Sequence, residues 1–161
     1  MQTAYFAGGC FWCVEAIFQR IDGVKGLTNG YCNGSTQNPT YEEVCSGQSG
    51  HAEVLKIEFD EKQISFTNLL EVFVETHDPT SLNQQGADRG TQYRSAVFYT
   101  DSNQRDQAVS VINSIPDAVT EISPLDVFYP AESYHQNYYN NNPNQPYCQL
   151  VILPKIDKYF K

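Results

Sequence analysis

At 161 residues the chain has the length of one domain, 1–161, and can bury about two thirds of its unfolded surface without a disulfide scaffold. A formal charge of −9 argues against nucleic acid and anionic membrane as partners, because both demand a basic face. Five cysteines, an odd number, with no basic start followed by an apolar run, point to a reducing, cytoplasmic setting, and no apolar stretch approaches the ~20 residues that cross a bilayer.

Thr3 to Ala7 is short, apolar and aromatic, as in a buried strand. Gly8-Gly9-Cys10-Phe11-Trp12-Cys13-Val14-Glu15 follows, and Phe11, Val14, Ile17, Phe18 and Ile21 recur at helical spacing. Cys10 is thus predicted at a strand-to-helix junction, where free N–H groups and the positive end of the helix dipole favour a thiolate. Lowering a cysteine pKa by about two units takes about 2.7 kcal/mol, within reach of a helix end and one or two hydrogen bonds. Cys13 lies one turn on, on the same face, at a Cα separation of about 5–6 Å that a disulfide tolerates. Attack by Cys10 and resolution by Cys13 is one reading; two buried helix cysteines is the other.

Val24 to Tyr31 reads as a strand running into the turn Gly30 to Gly34. Pro39 suits the first position of a short helix through Glu43 and Val44. From Ala52 to Phe59 the residues alternate, so Glu53 shares the core face with Leu55, Ile57 and Phe59. A carboxyl aimed inward with no obvious cationic partner holds its proton near neutral pH, which suits an acid catalyst; a strand-end Glu turned to solvent is the bland alternative. Phe66 to Val74 is a second amphipathic helix, capped by Ser65 or Thr67 and ending at His77-Asp78-Pro79. The polar loop from Asp78 to Arg94 reads as ordered and functional. A strand at Ser95 to Thr100 and a helix from Asn103 to Ile115, packing Ala108, Val109, Ile112 and Ile115, come next, then strand-like Val119 to Ile122 and Val127 to Tyr129. From Pro130 the Tyr, Asn, Gln and Pro content predicts a surface-wrapping tail, 130–161, with Leu150 to Leu153 docked and holding Cys148 against the body. The order β-α-β-β-α-β points to helices on one face of a mixed sheet.

Three motifs together resemble the peptide methionine sulfoxide reductase A family: Gly-Cys-Phe-Trp-Cys-Val-Glu from Gly9, Gly47-Gln48-Ser49-Gly50-His51-Ala52-Glu53, and Asp88-Arg89-Gly90-Thr91-Gln92-Tyr93-Arg94-Ser95. Ala131-Glu132-Ser133-Tyr134-His135-Gln136 matches a fourth, so the resemblance covers essentially the whole chain. It implies an α+β fold, a ferredoxin-like two-layer sandwich with a mixed β-sheet, helices packed on it and a long irregular C-terminal tail. It implies reduction of the S epimer of methionine sulfoxide, peptide-bound or free, with thioredoxin as reductant and no cofactor or metal. Cys10 matches the nucleophile and Glu53 the proton donor. Tyr41, Asp88 and Tyr93 match the polar shell around the sulfoxide oxygen, and Phe11 and Trp12 the pocket for the substrate methyl. Taken singly, the tyrosines would be packing aromatics, Asp88 a turn residue, and Phe11 and Trp12 core.

Gly30-Tyr31-Cys32-Asn33-Gly34 departs from the family's Gly-Tyr-Xaa-Gly-Gly, and Asn at position 33 tolerates the left-handed geometry such a turn needs. Many members resolve through tail cysteines, whereas here Cys13 lies inside the signature and Cys148 in the tail. The expectation is a Cys10–Cys13 disulfide first, Cys148 as a relay thiol, and Cys32 and Cys45 as bystanders. Two rivals remain. A thioredoxin-like disulfide oxidoreductase explains Cys-x-x-Cys but gives Glu53, Asp88 and Tyr93 nothing to do. A zinc module would need Cys10, Cys13, His51 and Cys148 together.

Overall fold

The computed structural model describes residues 1–160. Strand β1 (Gln2–Ala7) feeds helix α1 (Phe11–Phe18); β2 (Val24–Cys32), α2 (Tyr41–Cys45), β3 (Ala52–Phe59) and α3 (Phe66–Thr76) follow. The polar loop is ordered, as expected. It holds a small hairpin of β4 (Gln84–Gln85) and β5 (Asp88–Arg89) and a 3-10 turn at Thr91–Tyr93. Then come β6 (Ala96–Tyr99), α4 (Ser102–Asn113), β7 (Glu121–Pro124) and β8 (Phe128–Pro130).

Six strands form one sheet in the order β7-β6-β1-β3-β2-β8. Among the described residues only β6 and β7 run parallel, and α4 makes the crossover that parallel pairing requires. Alternation along the strands splits the core between the two faces. Phe6, Leu55, Ile57 and Phe59 pack under Ile17 and Phe18 of α1, Leu69 and Phe73 of α3 and Ala108 of α4. Ala7, Cys32, Val54 and Phe98 face the other way, under Leu125 and Phe128. The class is α+β, with the helices gathered on one face.

Local chemistry moves some boundaries. Thr40, not Pro39, starts α2, because Thr40 and Glu43 form a reciprocal capping box: the Thr40 hydroxyl accepts the Glu43 N–H and the Glu43 carboxylate accepts the Thr40 N–H. Ser65 caps α3, its hydroxyl accepting the Asn68 N–H. Val109, expected in the core, is 39% exposed; Ala108 and Ile112 carry the contact of α4. Asn33 holds φ at 59°, as anticipated for a residue in glycine's place. Its amide also donates to the Pro124 carbonyl and accepts the Asp126 N–H, tying the turn to the loop before β8.

The C-terminal segment is not a long irregular tail. After a 3-10 turn at Ser133–His135 it forms α5 (Tyr138–Asn141), a π-helical turn at Cys148–Ile152 and α6 (Leu153–Tyr159). Cys148, Ile152 and Ile156, spaced every four residues, enter the main core, a stripe that the polar run before it obscures in the sequence. Leu150, expected to dock, is 76% exposed.

A buried acid fastens this segment. Glu15 of α1 accepts hydrogen bonds from the Asn29 side chain and from the backbone N–H groups of Asn137 and Tyr138. The Gln136 amide meanwhile pairs with both backbone groups of Asn29, as a strand would. Glu15→Ala leaves those donors without an acceptor and is expected to cost about 2–4 kcal/mol, read as a lowered midpoint in denaturant and as protease cleavage after Pro130 under native conditions.

Candidate active site

Antiparallel pairing collects the chemistry at one end of the sheet. β1 and β2 finish where β3 and β6 begin: Phe6 faces Leu55, Ala7 faces Ala96, and Tyr31 faces Glu53. The segments that join there are the Gly8-Gly9-Cys10 turn, α2 with Tyr41, the start of β3 with Glu53, and the 3-10 turn with Tyr93. Gly9 sits at φ 86°, and a Cβ there would lie 2.8 Å from the Gln85 side chain, so the turn that presents Cys10 needs glycine.

Cys10 caps α1 through its backbone alone. The first free amide of the helix, Phe11 N–H, donates to Glu53 Oε1 at 3.1 Å rather than to sulfur. Glu53 is 1% exposed and pairs with no Lys or Arg among the described residues. Burial pushes its pKa up to about 8; the Phe11 hydrogen bond opposes this, and the charge of Asp88 adds to it. Its Oε2 has no hydrogen-bond partner among the described residues. The carboxyl is therefore protonated at neutral pH, as the alternation of β3 implied.

The thiols depart from expectation. Burial pushes Cys10 well above an ordinary cysteine, and its hydrogen bond to Cys13 and the neighbouring Glu53 push the same way; the Trp12 N–H only partly offsets them. The helix end does not make Cys10 an anion at rest: burial outweighs the Trp12 N–H, and the leading amide of the helix goes to the carboxyl. Cys13 is the acidic member, lowered to about 7 first by the hydrogen bond from Cys10, against its own burial, with Lys155 and Tyr147 helping. The Tyr147 hydroxyl lies 3.4 Å from Cys13 Sγ and donates to Asp88 Oδ2 at 2.6 Å.

The remaining candidates divide. Tyr41 and Tyr93 lie within electrostatic reach of Glu53, and burial raises both phenols, keeping them neutral donors. Phe11, expected as a pocket wall, is 1% exposed and packs against Tyr31 and Val44, so its ring lies in the core while its amide holds Glu53. Trp12 is half-buried, stacked on Tyr138 at 3.7 Å, and its indole N–H donates to His135 Nδ1 at 3.1 Å. Asp88 lines a cleft of about 950 Å³ together with Cys10, Cys13, Gln85, Tyr147 and Lys155. Cys148 is fully buried in the core beside α1. Cys45 is exposed, and the neighbouring Tyr41 hydroxyl only partly offsets the burial that raises its thiol. Cys32 is buried on the opposite face of the sheet. His51 is structural: its Nδ1 accepts the Gly34 N–H and its Nε2 donates to the Thr36 carbonyl. The four residues of a zinc module are thus not brought together, and no metal-binding cluster occurs among the described residues.

The profile of the family described as peptide methionine sulfoxide reductase matches residues 2–161. The chain belongs to the peptide methionine sulfoxide reductase A family. Its relatives of that name include proteins of Vesicomyosocius okutanii, 66% identical over 99% of both chains, and Nautilia profundicola, 50% identical over 100% of this chain and 95% of the other. Reduced Mxr1 of Saccharomyces cerevisiae superposes with a TM-score of 0.87 at 33% identity, covering 91% of this chain and 88% of that one. The Corynebacterium diphtheriae methionine sulfoxide reductase A gives 0.82 at 34%, covering 89% and 76%. As a family member the chain is a thiol-dependent methionine sulfoxide reductase.

Glu15, His135 and Tyr147 carry no signal of their own in the sequence, yet they tie the C-terminal segment to the first helix and so support the reductase site. Glu15 and His135 stand inside the first and fourth motifs, and Tyr147 directly precedes Cys148. Because the folded pKa of Glu53 exceeds the unfolded value of 4.5, its contribution is present below pH 4.5 and is lost as pH rises toward 8, the unfolded chain ionising while the folded one cannot. Glu53→Gln is expected to remove that slope. Urea unfolding of both proteins at pH 5 and pH 8 should show the variant gaining, relative to the parent, by more than about 1 kcal/mol at the higher pH.

Proposed function

We propose that residues 1–161 form one reductase domain, ferredoxin-like in its central β6-β1-β3-β2 sheet with α1 and α3, that reduces the S epimer of peptide-bound and free methionine sulfoxide. Cys10 attacks the sulfoxide sulfur, Glu53 delivers the proton that makes its oxygen a leaving group, and Tyr41 and Tyr93 hold that oxygen as charge builds. The oxygen moves from the methionine sulfur to Cys10, giving methionine and a Cys10 sulfenic acid. Cys13 then displaces it as water, forming a Cys10–Cys13 disulfide that thioredoxin reduces.

The observation that carries this reading is the protonated, nearly inaccessible Glu53, hydrogen-bonded to the residue after Cys10 and with one oxygen left unpaired. A purely structural carboxyl would satisfy both oxygens; a proton donor awaiting a sulfoxide would not. The high resting pKa of Cys10 fits the same scheme, since a neutral thiol beside a neutral acid avoids two adjacent buried charges until substrate arrives. Trp12, backed by Tyr138 and His135, is the aromatic surface for the substrate methyl. Asp88 acts beside the thiols, and Cys148, buried near Cys13, serves as relay once the C-terminal segment moves. A cytoplasmic setting suits a chain whose core needs no disulfide.

Stereospecific turnover of a blocked methionine sulfoxide tests the scheme. Cys10→Ser should abolish turnover of the S epimer, and Glu53→Gln should lower it by about 10²–10⁴-fold. The parent's methionine-forming rate should fall as pH rises through about 8, where Glu53 ionises, and a rate unchanged by Glu53→Gln would remove the acid from the mechanism.

A further inference from the structure

The resting enzyme keeps Cys13 acidic chiefly through the hydrogen bond it receives from Cys10. That donor is the Cys10 thiol proton, which is gone once Cys10 is a sulfenic acid, and the remaining sulfenic O–H departs with the oxygen as water. The support is lost at the step in which Cys13 must ionise. Two helpers stay in place. Lys155 contributes charge, and the Tyr147 hydroxyl is in contact with Cys13 Sγ.

Tyr147 has one proton, and at 2.6 Å it is donated to Asp88. The contact to Cys13 is then made by the phenol oxygen, which faces the thiol as an acceptor. Cys13, Tyr147 and Asp88 thus form a directed chain of hydrogen bonds, thiol to phenol to carboxylate. The charge on Asp88 opposes ionisation of Cys13 unless Asp88 takes up a proton. Burial, with the neighbouring thiols, keeps Tyr147 from ionising on its own, so it can pass a proton but not store a charge.

We propose that Tyr147 is the catalytic residue of the resolving step, relaying the Cys13 proton to Asp88 so that Cys13 attacks the Cys10 sulfenic acid as a thiolate. The proposal rests on the reading that Cys13 resolves Cys10. As the Cys13 proton moves to the Tyr147 oxygen, the Tyr147 proton moves to Asp88, and the phenol now donates to the new thiolate. Cys13 Sγ bonds to Cys10 Sγ while the Cys10 S–O bond breaks. The departing hydroxide takes the proton held on Asp88, which lines the same cleft as both cysteines, and leaves as water. Cys13 sulfur is oxidised and Cys10 sulfur is reduced by the same amount, so no outside oxidant or reductant enters. The relay closes the gap left by the lost Cys10 donor, and it explains why a tyrosine of the C-terminal segment reaches back to α1.

Single-turnover experiments on the full chain with Tyr147→Phe test this. The variant keeps the ring that meets Trp12 edge-on at 5.8 Å. Methionine release is followed beside the lifetime of the sulfenic acid, trapped with a cyclic diketone, between pH 6 and 9. The methionine burst should keep its full amplitude, while the sulfenic acid should live about 10–100-fold longer than in the parent at pH 7, the gap narrowing toward pH 9 as Cys13 ionises unaided. An unchanged lifetime, a slowing equal at every pH, or a methionine release slowed as much as resolution would each overturn the proposal. Cys13→Ser separates the two levels. If its sulfenic acid disappears at the parental rate without added thiol, the assignment of Cys13 as resolver falls, whatever Tyr147→Phe does.

Discussion

The hydrogen bond from the Phe11 amide to the Glu53 carboxyl joins the start of the first helix to the start of the third strand, and the rest of the site is arranged about it. A helix N-terminus carries unpaired N–H groups wherever it occurs, and here the leading one holds a neutral acid beside a neutral thiol. Given to sulfur, that amide would have favoured a thiolate, which is open to any oxidant that enters the cleft. Spending it on the carboxyl keeps the reagents quiet and adjacent. The pairing is possible because the strand order puts the ends of β1 and β2 beside the beginnings of β3 and β6.

Around that centre the C-terminal segment does the work of a second scaffold. Glu15 anchors its backbone, Gln136 pairs with the strand edge at Asn29, and His135 accepts from Trp12. Glu132 accepts from the Tyr31 hydroxyl and the Tyr41 amide, so one carboxylate links the sheet to α2. The C-terminal segment thus braces the first helix, the second strand and α2 at the reductase site, and loosening it would disturb the site without altering a single reacting group.

Much of this is legible in the sequence, because periodicity and turn chemistry are local. The alternation of β3 places Glu53 inward, the glycine pair announces a tight presentation of Cys10, and Asn33 in the left-handed turn follows from its side chain. The C-terminal segment is not legible in that way. Its asparagine run suppresses the apolar signal, and its helices form against α1 rather than from propensity. The charge state of Cys10 is hidden for a related reason. A helix end lowers a thiol only if its amides are free to do so, and the partner that claims the first of them lies in a distant strand. The phenol facing Cys13 comes from still further along the chain.

Trp12 is the chain's lone tryptophan, clasped between the face of Tyr138 and the imidazole of His135. Both neighbours belong to the C-terminal segment, and the indole follows directly on residues 10 and 11 of the reacting turn. The tryptophan fluorescence of the protein, excited beyond the absorption of the tyrosines, is therefore a single-site signal. Its intensity and wavelength read whether that clasp is closed, so a stopped-flow trace can watch the enzyme breathe between half-reactions without any added dye.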